Sequence, residues 1–239
     1  MPFFAHSAPA RADWEPLARH LAEVARRAEA FAAPFGAGEE ARLTGLLHDL
    51  GKYSERFTRR LEGTESGLDH WSIGALASAV VAKANARAAA LAIHGHHVGL
   101  ASPAIFQTLQ SRTGDRSSWT EADPARALER LRADGLELPE LPASIFDPQG
   151  PSAAGMVDVR MLFSALVDAD FLATEEHFQR FEPLSFPRPE ARALEPERAF
   201  SLVLAAIART AAASDAAASV RALRDDLLRA CLAKAEGAQ

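Results

Sequence analysis

The amino-acid sequence predicts an all-α protein, a bundle of about eight to ten helices that forms one domain over residues 1–239. Apolar residues recur at intervals of three and four along almost the whole chain, and no segment shows the alternating pattern of a strand. Hydrophobic residues make up 48% of the 239 residues and charged residues 24%, the composition of a folded globular domain. A chain of this length can bury a sizeable core without disulfide bonds.

The first helices are defined by apolar stripes and by residues that begin or end a helix. Residues 14–32 are predicted as an amphipathic helix with Asp13 as its N-cap. Residues 39–50 form a second helix that ends at Gly51, and a short segment follows over 54–61. The apolar stripe of the first helix comprises Leu17, Leu21, Val24, Ala28 and Phe31.

The later helices are separated by polar or proline-rich segments. Asp69 is predicted to cap a helix that runs to about residue 84, and another helix covers about 86–97. The prolines between residues 136 and 151 indicate an irregular segment. Further helices are predicted near 103–111, 121–134, 155–181, 195–212 and 215–235.

Charge, cysteine content and hydropathy exclude several classes of protein. A formal net charge of −6 argues against a protein that coats DNA through bulk positive charge, but not against an enzyme with a local cationic site. The single cysteine, Cys231, cannot form an internal disulfide. The most apolar stretch runs only from Ile73 to Ala82, far short of the roughly 20 residues that a bilayer requires, so we expect a cytoplasmic protein without membrane contact.

Two pairs of adjacent residues carry the strongest chemical signals. His48 and Asp49 come at the end of an apolar helix, where both can reach one metal cluster if the helix end abuts it. His96 and His97 lie between two glycines, which let the backbone approach closely. Each pair also has a simpler interpretation: a helix terminus with a favourably placed histidine for the first, and a polar loop for the second.

Single residues on apolar helix faces add to these pairs. His20 and His70 lie on such faces, where a lone histidine is usually a hydrogen-bonded core residue. Asp168 shares a helix face with three apolar residues, and a carboxylate there is costly unless it pairs with an arginine or binds a metal. Asp170 falls on a different face and is expected either to be solvated or to contact a metal-binding side chain without binding the metal itself.

Taken together, five histidines and two aspartates occur in the order H, HD, H, HH, D, each within or at the end of a predicted helix. They suffice for two metal centres that share one carboxylate. Imidazole and carboxylate without thiolate favour Mn, Fe, Co, Ni or Zn over calcium. Outside this set, His6 is expected to be structural, His94 to contact substrate or to lie on a helix surface, and His177 to be exposed.

The same motifs resemble the HD superfamily of metal-dependent phosphohydrolases, and more narrowly the HD nuclease domain of the CRISPR-associated type I interference nuclease-helicase. The resemblance covers nearly the whole chain. The GHHVGL and VDADFLATE strings separate this family from other HD phosphohydrolases. The full set of matching strings is FFAHS, WEPLARHLAEVA, GLLHDLGKYSERFTRRLEG, LDHWSIGA, AIHGHHVGL and RMLFSALVDADFLATE.

The resemblance implies two divalent ions, Mn, Co, Ni, Fe or Zn with Mg also compatible, that share one bridging carboxylate. Asp49 and Lys52 would be the catalytic residues, Asp49 as the bridge and Lys52 as a contact to phosphate or a stabiliser of charge. The ligands would be His20, His48, Asp49 and Asp168 for one ion, and Asp49 with His70, His96 and His97 for the other.

The implied function is metal-dependent phosphodiester hydrolysis of single-stranded DNA, as endonuclease or exonuclease, in CRISPR type I antiviral interference. The implied partners are single-stranded DNA, a helicase domain or subunit and the guide-RNA surveillance complex. Residues 213–239 resemble the helix that leads into the helicase in fused members, and this sequence has no Walker A motif. Two alternatives remain open: an HD phosphohydrolase that acts on nucleotides or cyclic nucleotides, and a non-catalytic helical adaptor with a structural metal.

Overall fold

A computed structural model describes residues 2–82, 87–101, 117–121, 123–140, 153–182 and 193–236. The contacts divide the chain into two compact units, Met1–Ser185 and Phe186–Gln239. The sequence predicted one domain over 1–239, with residues 213–239 as a helix that leads into a helicase. That role of the C-terminal helix stays a prediction.

The helices of the structure confirm the predicted all-α fold. In the first unit they are α1 (Leu17–Ala32), α2 (Gly38–Leu47), α3 (Glu55–Leu61), α4 (Ser72–Ala82), α5 (Arg87–Val98), α6 (Pro124–Ala133) and α7 (Ala153–Phe178). The second unit contains α8 (Pro196–Ala212) and α9 (Ala218–Glu236). The helix predicted near 103–111 lies outside the described residues. Across the ranges that the structure describes, no helix is both long and apolar enough to cross a membrane.

A short antiparallel ribbon precedes α1, where the sequence predicted the start of a helix. Strand β1 (Phe4–His6) pairs with strand β2 (Glu15–Pro16), with His6 opposite Glu15. Asp13 lies in a 3-10 turn and does not cap α1. Pro16 is the N-cap residue of α1 and has an extended ψ of 132°, so the helix begins at Leu17. The ribbon brings the N-terminus against the first turn of α1, because the Leu17 amide donates to the Phe3 carbonyl at 2.9 Å.

The core of the first unit forms where α1 packs against α2 and α7, and where α5 packs against α4 and α7. The predicted stripe on α1 is buried except for Phe31, which is 41% exposed at the end of the helix. Helix α7 packs against this core through a stripe of apolar residues that are spaced three and four positions apart. Its members are Val159, Leu162, Leu166, Ala169 and Ala173.

In the second unit, helices α8 and α9 expose apolar side chains along their length, among them Leu202, Val203, Leu223 and Leu227. Cys231 is also exposed and is a free cysteine. Both helices begin and end within three residues of the bounds that the sequence predicts.

Candidate metal centre

The His48-Asp49 pair occupies a change of backbone direction at the end of α2. His48 keeps helical dihedral angles as the C-cap residue, whereas Asp49, with φ of −109° and ψ of 22°, leaves the helix. A 3-10 turn over Leu50–Lys52 follows. This break lets both side chains face one cluster, with His48 Nε2 3.2 Å from Asp49 Oδ2.

The first half of the cluster joins α1, the end of α2 and α7. His20 Nε2 lies 3.7 Å from Asp49 Oδ2 and 3.3 Å from Asp170 Oδ1. His48 Nε2 lies 3.6 Å from the same oxygen of Asp170. The four residues each offer one ligand atom, and these atoms all lie within 4.8 Å of one another. We call this group the Asp170 half-site; it consists of His20, His48, Asp49 and Asp170.

Asp170, and not the predicted Asp168, completes this half-site. Asp168 is exposed on α7 and belongs to none of the candidate ligand groups among the described residues. The prediction took Met161, Ala165 and Leu172 as the core face of the helix, but of these three residues only Ala165 is buried in the core. Met161 is 47% exposed. The stripe that packs in the core includes Ala169 and therefore lies on a different face of the helix from Met161. Asp170 follows this stripe and points its carboxylate at the two histidines.

The second half of the cluster brings together the other three predicted histidines around Asp49. The Asp49 Oδ1 atom lies 3.3 Å from His70 Nε2, 3.7 Å from His96 Nε2 and 4.0 Å from His97 Nε2. His70 Nε2 is also 2.9 Å from His97 Nε2. We call this group the His97 half-site; it consists of Asp49, His70, His96 and His97. Asp49 therefore uses one carboxylate oxygen for each half-site.

Two of these histidines are held by the helices that carry them. His48 Nδ1 is 2.8 Å from the Gly45 carbonyl oxygen, and His96 Nδ1 is 2.6 Å from the Ile93 carbonyl oxygen. Because a carbonyl only accepts, the ring Nδ1–H must donate in each case, so Nε2 is the nitrogen that faces Asp49 and can bind a metal once it carries no proton. This is the tautomer that metal coordination through Nε2 requires.

His70 is fixed by backbone contacts that sequence reasoning missed. The Gly51 amide donates to the His70 carbonyl at 3.2 Å, and a Cβ at Gly51 would overlap that carbonyl. The Thr120 hydroxyl donates to the Gly51 carbonyl at 2.6 Å, and the Thr120 amide donates to the Asp69 carbonyl at 2.9 Å. Residues 117–121 thus fasten the loop after Asp49 to the segment that carries His70. No periodic pattern in the sequence marks this role.

Asp69 and Arg56 complete that framework. Asp69 accepts the Ser72 amide at 2.9 Å, which confirms its predicted position as the cap of α4. Arg56 donates to the carbonyls of Ser117 and Trp119 at 2.8 and 2.6 Å. The guanidinium of Arg56 therefore helps to hold residues 117–121 in place beside the segment that carries His70.

The donor atoms at the centre of the cluster fit a bound divalent cation. Four of them are buried without a hydrogen-bond partner, an arrangement that proteins normally avoid. All four are imidazole nitrogens or carboxylate oxygens, which suit first-row transition metals. The same cluster can thus hold a divalent metal and satisfy these atoms. They are His20 Nε2, His48 Nε2, Asp49 Oδ1 and His96 Nε2.

The two half-sites differ in electrostatics. Burial disfavours the charged form of His48, but the charge of Asp49 and the contact with Asp170 outweigh it and raise the pKa of His48 to about 10. Burial, reinforced by neighbouring His96, lowers the pKa of His97 to about 3. Burial also acts on Asp49, but Lys52 and His48 hold the pKa of this carboxyl well below its usual value. A cation that binds His48 must therefore displace a proton, whereas His97 is already neutral at pH 7.

Lys52 lies beside the cluster and contacts its central carboxylate. Its ammonium is 2.6 Å from Asp49 Oδ2 and donates to the Ala5 carbonyl at 3.2 Å. The residue is only 5% exposed. In this arrangement Lys52 orients and neutralises Asp49, and its predicted contact with a substrate phosphate stays a prediction.

Comparison with known proteins agrees with this geometry. None of the curated proteins matches the chain. The family model of the HD domain matches residues 17–137, about half of the chain, and this range includes six of the seven residues that form the two half-sites. The chain therefore belongs to the HD domain family, which consists of metal-dependent phosphohydrolases.

Proposed function

We propose that this protein is a metal-dependent nuclease that hydrolyses phosphodiester bonds of single-stranded DNA. We further propose that it acts in CRISPR type I interference together with a helicase and a guide-RNA surveillance complex. The GHHVGL and VDADFLATE strings support this narrower assignment within the HD domain family. The presence of Asp170 in the Asp170 half-site adds support, because this residue belongs to the second string.

The observation that carries the proposal is the position of Asp49 between the two half-sites. Its two oxygens face different sets of histidines, and this supports a centre in which two cations share one carboxylate. When bound, divalent cations at such a site lower the pKa of water and neutralise the charge of a phosphodiester in the transition state. The chain itself supplies the imidazoles of His70, His96 and His97 on the His97 half-site and the carboxylate of Asp170 from α7 on the other.

The exposure of the ligands indicates how a phosphodiester reaches the cluster. The side chains of His97 and Asp170 are 39% and 23% exposed, whereas those of His20, His48 and Asp49 are almost fully buried. The exposed pair contributes one residue to each half-site. A phosphodiester that contacts both His97 and Asp170 would therefore lie beside both half-sites, as hydrolysis between two cations requires.

An aromatic side chain beside the exposed ligand favours a nucleic acid strand as the substrate. Trp71 is half-buried, and its ring centroid lies 5.3 Å from that of His97 and 5.3 Å from that of His70. The Trp71 amide donates to Asp69 Oδ1 at 3.1 Å, which fixes the backbone of this residue. Indole rings next to a phosphate-binding site provide a surface on which a base of any sequence can stack.

The substrate is tested by incubating the purified protein with circular single-stranded DNA, duplex DNA and a panel of nucleotides and cyclic nucleotides. Each reaction is run with Mn, Co, Ni, Fe, Zn or Mg and again with a chelator. We expect metal-dependent cleavage of the single strand, slower cleavage of the duplex and none with chelator. Release of nucleoside or phosphate from free nucleotides without nicking of DNA would instead assign the protein to the nucleotide phosphohydrolases. Metal binding without turnover of any substrate would indicate the structural adaptor.

Replacement of Trp71 tests whether a base stacks beside the His97 half-site. Trp71→Ala is expected to raise the KM for single-stranded DNA about tenfold, because stacking on an aromatic side chain stabilises binding by about 1–3 kcal/mol per base. Trp71→Phe keeps an aromatic face and should restore most of the affinity. Metal titration of both variants is the control, since His70 and His97 adjoin this ring. An unchanged KM in Trp71→Ala would rule out stacking at this residue.

A further inference from the structure

The ligand histidines differ in what holds their outer ring nitrogen. For His48 and His96 the partner is a backbone carbonyl of the same helix. For His20 the nearest partner is a carboxylate, because His20 Nδ1 lies 3.3 Å from Glu15 Oε2. This is an electrostatic contact without good hydrogen-bond alignment, since His20 Nδ1 has no hydrogen-bond partner by geometry. A carboxylate behind a metal-binding imidazole orients the ring and increases its basicity.

Glu15 is itself buried and held in place by a second histidine. It is 8% exposed, and His6 Nδ1 lies 2.8 Å from the same Oε2 atom that faces His20. The pairing of β1 with β2 sets His6 opposite Glu15, so the ribbon fixes both side chains. The His6 ring also stacks on His177 of α7, with centroids 5.8 Å apart and an angle of 27° between the rings.

His177 connects this arrangement to the helix that carries Asp170. It is 2% exposed, which corrects the expectation of an exposed side chain. Glu15 therefore lies where the ribbon, α1 and α7 meet, and α1 and α7 are the helices that supply His20 and Asp170. The other half-site depends on α5 and on the segment around His70, whereas the side-chain contacts of Glu15 within the described residues are with His6 and His20.

We propose that Glu15 is a positioning residue for one metal only, the ion of the Asp170 half-site, and that His6 holds Glu15 for this purpose. The inference rests on the metal centre of the proposed function, but not on the identity of its substrate. Glu15 acts through His20: its carboxylate directs the His20 ring so that Nε2 faces Asp49 and Asp170. Removing the negative charge of Glu15 should therefore weaken one of two bound ions and leave the other unchanged.

The test is a titration of the full-length protein with Co²⁺ alone, followed by calorimetry and by metal analysis after dialysis. Glu15→Gln preserves volume and removes the charge. We expect the Kd of one ion to rise about 10–100-fold, the range for loss of a carboxylate behind a metal-bound histidine, and the Kd of the second ion to stay within about twofold. Glu23→Gln is the matched control, because Glu23 lines the same cavity between α1 and α7 but pairs with Arg26 and Arg27.

Two background variants assign the weakened ion to its half-site. In an Asp170→Asn background, where the Asp170 half-site is already impaired, Glu15→Gln should add little further loss. In a His97→Ala background it should show its full effect, so that the double variant binds neither ion tightly. Equal loss of both ions in Glu15→Gln, or no loss of either, would overturn the proposal.

Thermal unfolding in the presence of a chelator separates positioning from a structural role. If Glu15 only stabilised the ribbon, Glu15→Gln would lower the melting temperature equally with and without Co²⁺, and that result would also overturn the proposal. We expect most of the loss only with Co²⁺ present, because an ion that binds the folded state stabilises it by an amount that grows with the logarithm of [Co²⁺]/Kd. If Glu15→Gln did not fold, His6→Gln would take its place, since it releases Glu15 and leaves the charge. None of these measurements uses DNA, so a protein that fails to cleave single strands could still confirm or refute the role of Glu15.

Discussion

Asp49→Asn is expected to lower metal-dependent cleavage by about 10²–10³-fold or more, with the helical circular dichroism spectrum nearly unchanged. Asp49 is 2% exposed, and both of its oxygens face histidines, one in each half-site. Breaking a buried charge pair on one side costs about 3–5 kcal/mol, and each 1.4 kcal/mol corresponds to a factor of ten. The amide keeps the size of the side chain but lacks the negative charge that draws two cations together.

The measurement for this variant combines initial cleavage rates with a Co²⁺ titration and a thermal melt. We expect both ions to be bound more weakly, which distinguishes Asp49 from every other ligand of the cluster. Lys52 loses its carboxylate partner in this variant, so the melting temperature should also fall. Asp13→Asn, at an exposed aspartate, should behave like the unmodified protein. Full metal-dependent activity in Asp49→Asn would contradict the shared-carboxylate arrangement.

The helical architecture was predictable from the sequence because long amphipathic helices leave a repeating pattern. Helices α1, α5, α8 and α9 lie close to their predicted bounds, and the predicted stripe of α1 is the one that packs. Short elements leave no such pattern. Strands β1 and β2 contain only five residues together, and they form through tertiary contact with α1, so they leave no periodic pattern in the sequence.

The candidate ligands were predictable to different degrees for physical reasons. His48, Asp49, His96 and His97 are adjacent pairs at helix ends, where small errors in helix phase do not change which end of the bundle they reach. Asp168 lies in the middle of a long helix, where an error of two residues turns a side chain by about 200°. The sequence analysis took the face of Asp168 as the apolar one, and the packing of α7 against α1 and α5 shows that the buried stripe is the one that contains Ala169.

Glu15 and Thr120 illustrate what sequence alone does not reveal. Neither lies in a motif with chemical spacing, and each acts on a ligand from another part of the chain. Glu15 approaches His20 because two short strands pair, and Thr120 secures the turn after Asp49 from a segment about 70 residues away. Such supporting residues become visible only when the fold brings distant segments together. Their effect on the ligands is the reason that a list of ligands does not describe a metal centre completely.

Asp170→Asn compared with Asp168→Asn gives the sharpest test of the geometry. The two aspartates are two residues apart on α7, and each substitution removes one charge at nearly constant volume. Asp170 lies 3.3 Å from His20 Nε2 and 3.6 Å from His48 Nε2, so its loss should weaken one ion and lower cleavage about 10–100-fold. Asp168 is exposed, and its substitution should change the rate by no more than about twofold, the effect of about 0.5 kcal/mol at a surface position.

The measurement is the cleavage rate of each variant over a range of Co²⁺ or Mn²⁺ concentrations. If Asp170→Asn only weakens binding of one ion, high metal concentration should recover part of its rate, whereas Asp49→Asn should recover little because it affects both ions. A large loss in Asp168→Asn with normal activity in Asp170→Asn would mean that α7 is turned by about 200° from the orientation described above. Asp168 would then be the carboxylate that faces His20 and His48, as the apolar stripe of Met161, Ala165 and Leu172 predicts. It would replace Asp170 among the ligands.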